Sequence, residues 1–259
     1  MSRIAAVIIT KNEAGRIRKA LTSVRSWVDE IIVVDDMSTD TTCAIAENEF
    51  GAKVFRRPLA QDFSAQRNFG ADQASCEWIL WMDADEEVPV KTVQMIKHRL
   101  EGSPDEVIFQ LRRLNHLMGC RIRHAGAYEY VWRVYRKDKV KFNKPVHELL
   151  DFQGASGRID ADILHYPFEE MTPMLMKAVT YGEHEAELYC QTQRCVSQKE
   201  IRYRLMWKSL KVFWKLYVRK QGFRDGIPGL VWCVCNVIGP QIKWIKIWEK
   251  AKIKGMLVP

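Results

Sequence analysis

The sequence predicts an α/β fold: a mostly parallel sheet with helices on both faces, followed by a C-terminal helical, amphipathic extension. Three observations predict it. Short apolar, β-branched runs alternate with segments of helical spacing through residue 88. Three of those runs end in polar or acidic clusters. The charge balance then changes: residues 199–259 carry fourteen Lys and Arg against three acids, whereas residues 1–198 carry 26 bases and 29 acids.

Each element follows in order. RIAAVIIT (3–10) is a buried first strand by composition, and Ile17, Leu21 and Val24 then recur at helical spacing. DEIIVVDD (29–36) is a second strand, after which Ser38, Thr39 and Asp40 supply N-cap chemistry for a helix. AKVFRR is a third strand, SAQRNFGADQAS a helix and EWILWM a fourth strand. Such alternation argues for a parallel sheet covered on both faces. VKTVQMIKHRL reads as a helix and DEVIFQLRR as a strand. Residues 112–165 are mixed, with antiparallel strands such as YVWRVYR, and FEEMTPMLMKAVTYGEHEAELYCQ is helical. The boundary falls near residue 197. It gives one domain over 1–197 and a basic, aromatic region over 198–259.

Composition limits the alternatives. With 259 residues, 47% of them hydrophobic, the chain can build a sizeable core. No run of about eighteen apolar residues exists, so no membrane-spanning helix is expected. The opening MSRIAAVIITKNE reads as a strand rather than a secretory signal. Seven scattered cysteines lack a paired CxxC ligand set, which predicts reduced thiols in a cytoplasmic protein and no structural zinc. There is no GxGxxG after the first strand and no GxxxxGK[ST], which counts against dinucleotide and P-loop sites.

The acidic clusters carry the chemistry. Ligands of open parallel sheets bind beyond the carboxyl ends of the strands. There the sequence places Thr10, Lys11, Asn12 and Glu13, then Asp35 and Asp36, then Asp83 and Asp85. In an extended segment Asp83 and Asp85 point to the same side. Two hard oxygen ligands there can hold Mg²⁺ or Mn²⁺, with diphosphate oxygens completing the shell. Such a metal neutralises a departing diphosphate. Helix capping or a solvated loop accounts for any one of these acids. Their recurrence at successive strand ends favours a ligand.

VIITKNEAGRIRKALTSV, DEIIVVDDMSTDTT, SAQRNFGADQAS and WILWMDADEEVP, in this order, resemble the family 2 glycosyltransferases of GT-A fold. VWRVYRKDKVKFNKPVHELL, ILHYPF and the aromatic, basic C-terminal region resemble the bacterial subgroup that builds lipopolysaccharide inner core, with glucosyltransferase-like members. The resemblance implies an inverting transferase that moves a hexose, glucose by the subgroup's pattern, from a UDP-sugar. It implies that Thr10, Asn12 and Glu13 meet the nucleotide, that Asp36 reads the uracil ring with Asp35 beside it, and that Arg67 approaches the diphosphate. Asp83 falls at the ribose-facing position and Asp85 at the metal-binding one. The cofactor implied is a divalent metal, Mg²⁺ or Mn²⁺.

An inverting transfer also needs a base near the acceptor hydroxyl. Glu148, His147, Glu129 and Asp151 are the candidates, and the HE dipeptide of NKPVHELL favours Glu148. His147 is then free to ligate the metal or orient the acceptor. His165 reads as a capping or packing residue. The ED pair and QxxRW-type box of many family members are not evident.

Between Ile201 and Arg224 the chain has eight bases and no acid. At helical pitch, Arg204, Lys208, Lys211, Lys215 and Arg219 fall within an arc of about 80°. Trp207, Leu210, Phe213 and Trp214 are among the residues that fill the rest. This pattern suits the inner face of an anionic cytoplasmic membrane, where a lipopolysaccharide-core glycolipid would be the acceptor. Packing of the apolar face on the catalytic domain is the plain alternative, and no nucleic-acid module accompanies the charge. Two other functions compete at this stage: a nucleotidyltransferase, and a non-catalytic peripheral membrane or nucleic-acid binding protein.

Overall fold

The computed structural model of the chain describes residues 2–60, 62–143, 149–192 and 195–258. Its first elements are β1 (Ile4–Thr10), α1 (Ile17–Arg25), β2 (Glu30–Asp35), α2 (Thr42–Phe50), β3 (Lys53–Arg56), α3 (Phe63–Gln73), β4 (Trp78–Asp83), β5 (Glu86–Glu87) and α4 (Val90–Glu101). Side-chain alternation explains how the sheet is covered. Ile4, Ala6 and Ile8 of β1 enter one apolar cluster, and Ala5 and Val7 enter another. Likewise Trp78, Leu80 and Met82 of β4 separate from Ile79 and Trp81. Strands buried on both faces need continuous apolar runs, which is why these segments read that way. On the first face Leu21 and Val24 of α1, Ile45 of α2 and Ile96 of α4 close the cluster. Ala71 of α3 packs on the second. The approach of α3 is close: a Cβ on Gly70 would lie 2.6 Å from Val7 Cγ1 and 2.9 Å from Val34 Cγ2.

β3, β2, β1 and β4 lie side by side and parallel. Thr10 pairs with Asp35, and Ile9 with Asp83, so the three polar strand ends are level. The chain continues through β6 (Glu106–Leu117), β7 (Cys120–Arg121), β8 (Tyr128–Arg136), β9 (Val140–Asn143), β10 (Leu149–Phe152) and β11 (Ala155–Phe168). β8, the expected antiparallel YVWRVYR strand, pairs with β4, and the sheet runs on through β6, β11 and β5. β5 is antiparallel to β11, with His165 opposite Glu86.

The chain divides into two units, Met1–Leu114 with Glu129–His165, and Asn115–Tyr128 with Tyr166–Pro259. The boundary expected near residue 197 falls inside the second. That unit holds α5 (Met171–Gln191), β12 (Val196–Ser197), α6 (Gln198–Arg202), α7 (Ser209–Trp214), α8 (Gly226–Ile253) and β13 (Leu257–Val258). π-helical turns at Tyr203–Lys208 and Lys215–Arg219 follow α6 and α7, so the run from 198 to 219 is helical throughout. α8 continues through Pro240, where the sequence reads as a short apolar segment bounded by prolines. Ala186 of α5 packs with Trp244, Ile247 and Ala251 of α8. A glycine permits the approach, since a Cβ on Gly182 would sit 2.9 Å from Ile242 Cγ2. No helix among the described residues is long and apolar enough to cross a membrane.

Candidate active site

The loops beyond β1 and β2 are tied together by side chains. Asn12 has a left-handed backbone (φ 52°), which short polar residues tolerate. Its N–H donates to Ser38 Oγ at 2.7 Å, and its Oδ1 accepts from Thr39 N–H at 2.8 Å. Thr42 Oγ1 accepts the N–H of Glu13 at 2.8 Å, and Asp40 accepts the N–H of Thr42 at 3.0 Å. Ser38 and Thr39 thus fasten the β1 loop instead of capping α2. Asp40 alone serves the helix start.

Asp35 is fully buried, and its Oδ2 accepts from Ser38 N–H at 2.8 Å. Burial, aided by the neighbouring Asp35 carboxylate, pushes the Cys43 thiol up to about 11. Asp36 lies at the rim. Its carboxylate meets Lys11 Nζ and Leu59 N–H, each at 2.8 Å. Thr10 Oγ1 and Asp35 Oδ1 are buried without a hydrogen-bond partner among the described residues, and so is Trp81 Nε1. Buried polar atoms of this kind are normally satisfied by water or a ligand.

The two aspartates of the DxD segment part company. β4 stops at Asp83, and Ala84 and Asp85 form a turn, so the extended geometry that would align their side chains ends too early. Asp83 Oδ2 lies 3.4 Å from Arg133 Nη2, while Asp85 Oδ2 lies 3.5 Å from His165 Nε2 and 3.9 Å from Arg16 Nη1. Arg16 is also clamped by Glu13 through bonds of 2.6 and 2.7 Å. Glu13 thus holds the Arg16 guanidinium beside Asp85.

Behind the turn sits a buried ion pair that residue types alone do not reveal. Glu86 and Arg133 are almost wholly buried and join in a bidentate bond, Nε to Oε2 at 3.1 Å and Nη2 to Oε1 at 2.6 Å. Glu86 Oε2 also accepts the N–H of Asp83 at 3.1 Å. Burial pushes Glu86 above the usual carboxylate range against the pull of Arg133. Burial works to lower Arg133, but Glu86 and Asp83 more than offset it and raise the guanidinium above its ordinary value. A pair held this way is a rigid backing for the acidic turn. Trp81 joins the group: the guanidinium carbons of Arg67 and Arg133 lie 3.6 and 4.1 Å from its ring centroid. Arg67 thus stacks on an indole at the strand end.

The other candidates fare differently. Glu148 and His147 lie outside the described residues. Glu129 forms an ion pair with Arg113, and Asp151 is exposed on β10. His165, read as a packing residue, is brought beside Asp85 by the β5–β11 pairing. Among the described residues no three His, Cys, Asp or Glu side chains form a metal-binding group. A metal would therefore take its remaining ligands from elsewhere. Asp85 and His165 supply one oxygen and one nitrogen donor, a set that accepts a divalent ion with phosphate oxygens completing its shell.

The chain matches known proteins in sequence and in structure. The sequence model for Glycosyl transferase family 2 matches residues 5–165. An uncharacterized glycosyltransferase of Rickettsia felis is 31% identical over 248 residues, covering 89% of this chain and 84% of its own. The lipopolysaccharide core biosynthesis glycosyltransferase LpsC of Rhizobium meliloti is 25% identical over 261 residues, covering 97% and 94%. Among solved structures, TarS 1-349 of S. aureus in complex with UDP-GlcNAc aligns over 98% of this chain and 92% of its own, with 12% identity and a TM-score of 0.47.

Proposed function

The chain belongs to glycosyl transferase family 2, and from that premise we propose an inverting, metal-dependent enzyme that moves a hexose, glucose first among the candidates, from a UDP-sugar to a glycolipid. Family membership sets aside the nucleotidyltransferase and the non-catalytic binding protein. The observation that carries the finer reading is the set of level strand ends, where Asp36, Asp83 and the Asp85–His165 pair succeed one another.

In this reading Asp36 receives the N–H edge of a uracil, and Asp83 faces the ribose. Thr10, Asn12 and Asp35 shape the nucleotide end. Arg67 meets the diphosphate. Asp85 and His165 would hold Mg²⁺ or Mn²⁺, and such an ion supplies charge neutralisation for the leaving diphosphate. Glu148 is the proposed base. It takes the proton of the acceptor hydroxyl as the new glycosidic bond forms and the sugar–diphosphate bond breaks, which inverts the anomeric carbon. The lipopolysaccharide-core role in the name of LpsC supports a glycolipid acceptor of that kind. The basic, aromatic helices of residues 198–259 support association with the inner face of the cytoplasmic membrane.

The test is thermal stabilisation by UDP and by UDP-sugars, each with Mn²⁺ and with EDTA. We expect a rise in Tm with UDP and Mn²⁺ that EDTA removes. Asp85→Ala and His165→Ala should abolish the metal-dependent part without lowering the Tm of the free protein. His147→Ala compared with His165→Ala decides which histidine serves the metal. No stabilisation by any nucleotide, with or without metal, would overturn the donor assignment.

A further inference from the structure

The carboxylate of Asp36 stands between two donors of different kinds. Its Oδ2 accepts from Lys11 Nζ, and its Oδ1 accepts the N–H of Leu59, each at 2.8 Å. Both donors hang on a pinned backbone. Lys11 follows Thr10, whose carbonyl accepts the N–H of Asp36 at 2.8 Å, and precedes Asn12, which bonds to Ser38 and Thr39. Leu59 follows a segment fixed at Arg57, whose N–H donates to Asp35 O at 2.9 Å and whose carbonyl accepts the side-chain amide of Gln66 at 2.7 Å. The Lys11 side chain is 59% exposed and that of Asp36 only 13%. An ion pair with one member so open to water contributes little to stability, so the fold does not depend on this lysine. The two oxygens therefore offer different things to an arriving ring. Oδ1 is committed to a backbone donor. Oδ2 keeps a second lone pair, and the ammonium beside it carries three N–H donors. An incoming ring edge meets one acceptor with one donor next to it.

We propose that Lys11 is a specificity-determining residue of the nucleotide site: its ammonium donates to a carbonyl of the base while Asp36 Oδ2 accepts the neighbouring ring N–H, and the two together select uracil. This rests on the proposed reading of Asp36 as the residue that meets the base. Uracil has the matching edge. Its N3–H lies between two carbonyls, so one of them falls beside the ammonium whichever way the ring is turned. Cytosine reverses the pattern, with a bare N3 toward the carboxylate and an amino group toward the ammonium. Adenine does the same with N1 and its own amino group. Each would leave donors facing donors and acceptors facing acceptors, and unmet polar groups are costly in a partly buried site. Guanine presents N1–H beside an amino group, and that pair needs both carboxylate oxygens at once. Oδ1 already serves Leu59.

The experiment titrates the full chain calorimetrically with UDP, CDP and GDP, each in the presence of Mn²⁺. The three share a diphosphate and differ in the base, so ratios of Kd isolate the reading of the ring. We expect the wild type to prefer UDP over CDP and over GDP on the order of 10- to 100-fold. Lys11→Met keeps the length of the side chain and removes its charge and donors. It should weaken UDP about tenfold and leave CDP and GDP nearly unchanged, so that the preference collapses. Lys11→Arg keeps a cationic donor and should retain most of it. Thermal unfolding of both variants without nucleotide should match the wild type, which separates loss of selectivity from loss of fold. Equal weakening of all three nucleotides by Lys11→Met would mean that the lysine only attracts phosphate, and that would overturn the proposal. So would a preference for UDP that survives Lys11→Met intact, which would leave the donor assignment standing. A wild type that binds CDP or GDP as tightly as UDP, or binds none of the three, sinks the donor assignment and the role of Lys11 together.

Discussion

The acidic strand ends of the first unit and the basic helical run of the second are both dense in charge, but they handle it in opposite ways. Glu86 and Asp83 share the guanidinium of Arg133, Glu13 clamps Arg16, and Asp36 meets Lys11. Each acid is answered by a cation from elsewhere in the unit, so the carboxylates are held in one geometry. Lys208, Lys211, Lys215 and Arg219 have no such partner among the described residues, so their charge faces outward. Paired charge positions a site, and unpaired charge recruits something from outside.

Breaking the buried pair should have the largest effect. Glu86→Ala leaves Arg133 buried without its carboxylate, and urea unfolding should show a loss of about 3–5 kcal/mol. Glu86→Gln, which keeps shape and one acceptor, should lose less. If Glu86→Ala and Glu86→Gln both left stability unchanged, the ion pair would not be what stabilises the turn.

Next comes the packing beneath the same sheet. Gly70→Ala pushes a methyl against Val7 and Val34, and overpacking there should cost about 1–3 kcal/mol in the same assay. Val7→Ala in that background should recover part of the loss.

A smaller effect is expected at Glu30, whose carboxylate accepts from Lys53 Nζ at 2.5 Å and Ser75 N–H at 2.8 Å. Burial works to raise its pKa, but these bonds win and hold it below the ordinary value. A depressed folded pKa contributes stability above the unfolded pKa, about 4.3. That contribution is lost as pH falls through the folded value. Glu30→Gln should cost about 1–2 kcal/mol at pH 7 and should flatten the wild-type loss of stability below about pH 4.3. An unchanged acid profile would remove Glu30 from the account.

The smallest effect sharpens the contrast within the second unit. Lys250 bridges to Glu183 at 2.6 Å and Glu187 at 3.4 Å on an exposed face. Lys250→Gln should barely move Tm, and it should leave binding to anionic vesicles unchanged because that charge is already neutralised. Equal losses from Lys250→Gln and Lys211→Gln would show that total charge, and not its pairing, governs the surface.

Strand–helix alternation and the level acidic ends were legible in the sequence because they are local. A strand buried on both faces must be continuously apolar, and a ligand at its carboxyl end needs polar residues in the next few positions. Asp36, Asp83 and Asp85 were singled out that way. Arg133 and His165 carry no comparable local signal. Arg133 looks like one base in a strand of alternating polarity, and His165 like an isolated histidine in an apolar stretch. Their roles depend on β8 pairing with β4 and on β11 pairing with β5. The reading of Asp83 and Asp85 as one same-side pair carried strand periodicity two residues past the end of the strand.

What the amino-acid sequence determined by itself, then, was the α/β class, the family and the position of the acidic cluster, because hydrophobic period and short polar motifs act over a few residues. Only tertiary structure decided that Glu86 lies buried against Arg133, that His165 stands beside Asp85, and that Arg204 leaves the basic stripe for Trp244. Each of these joins residues far apart in the chain or depends on helical turns wider than the ideal pitch. Their partners are set by strand pairing and close packing, which no local pattern encodes.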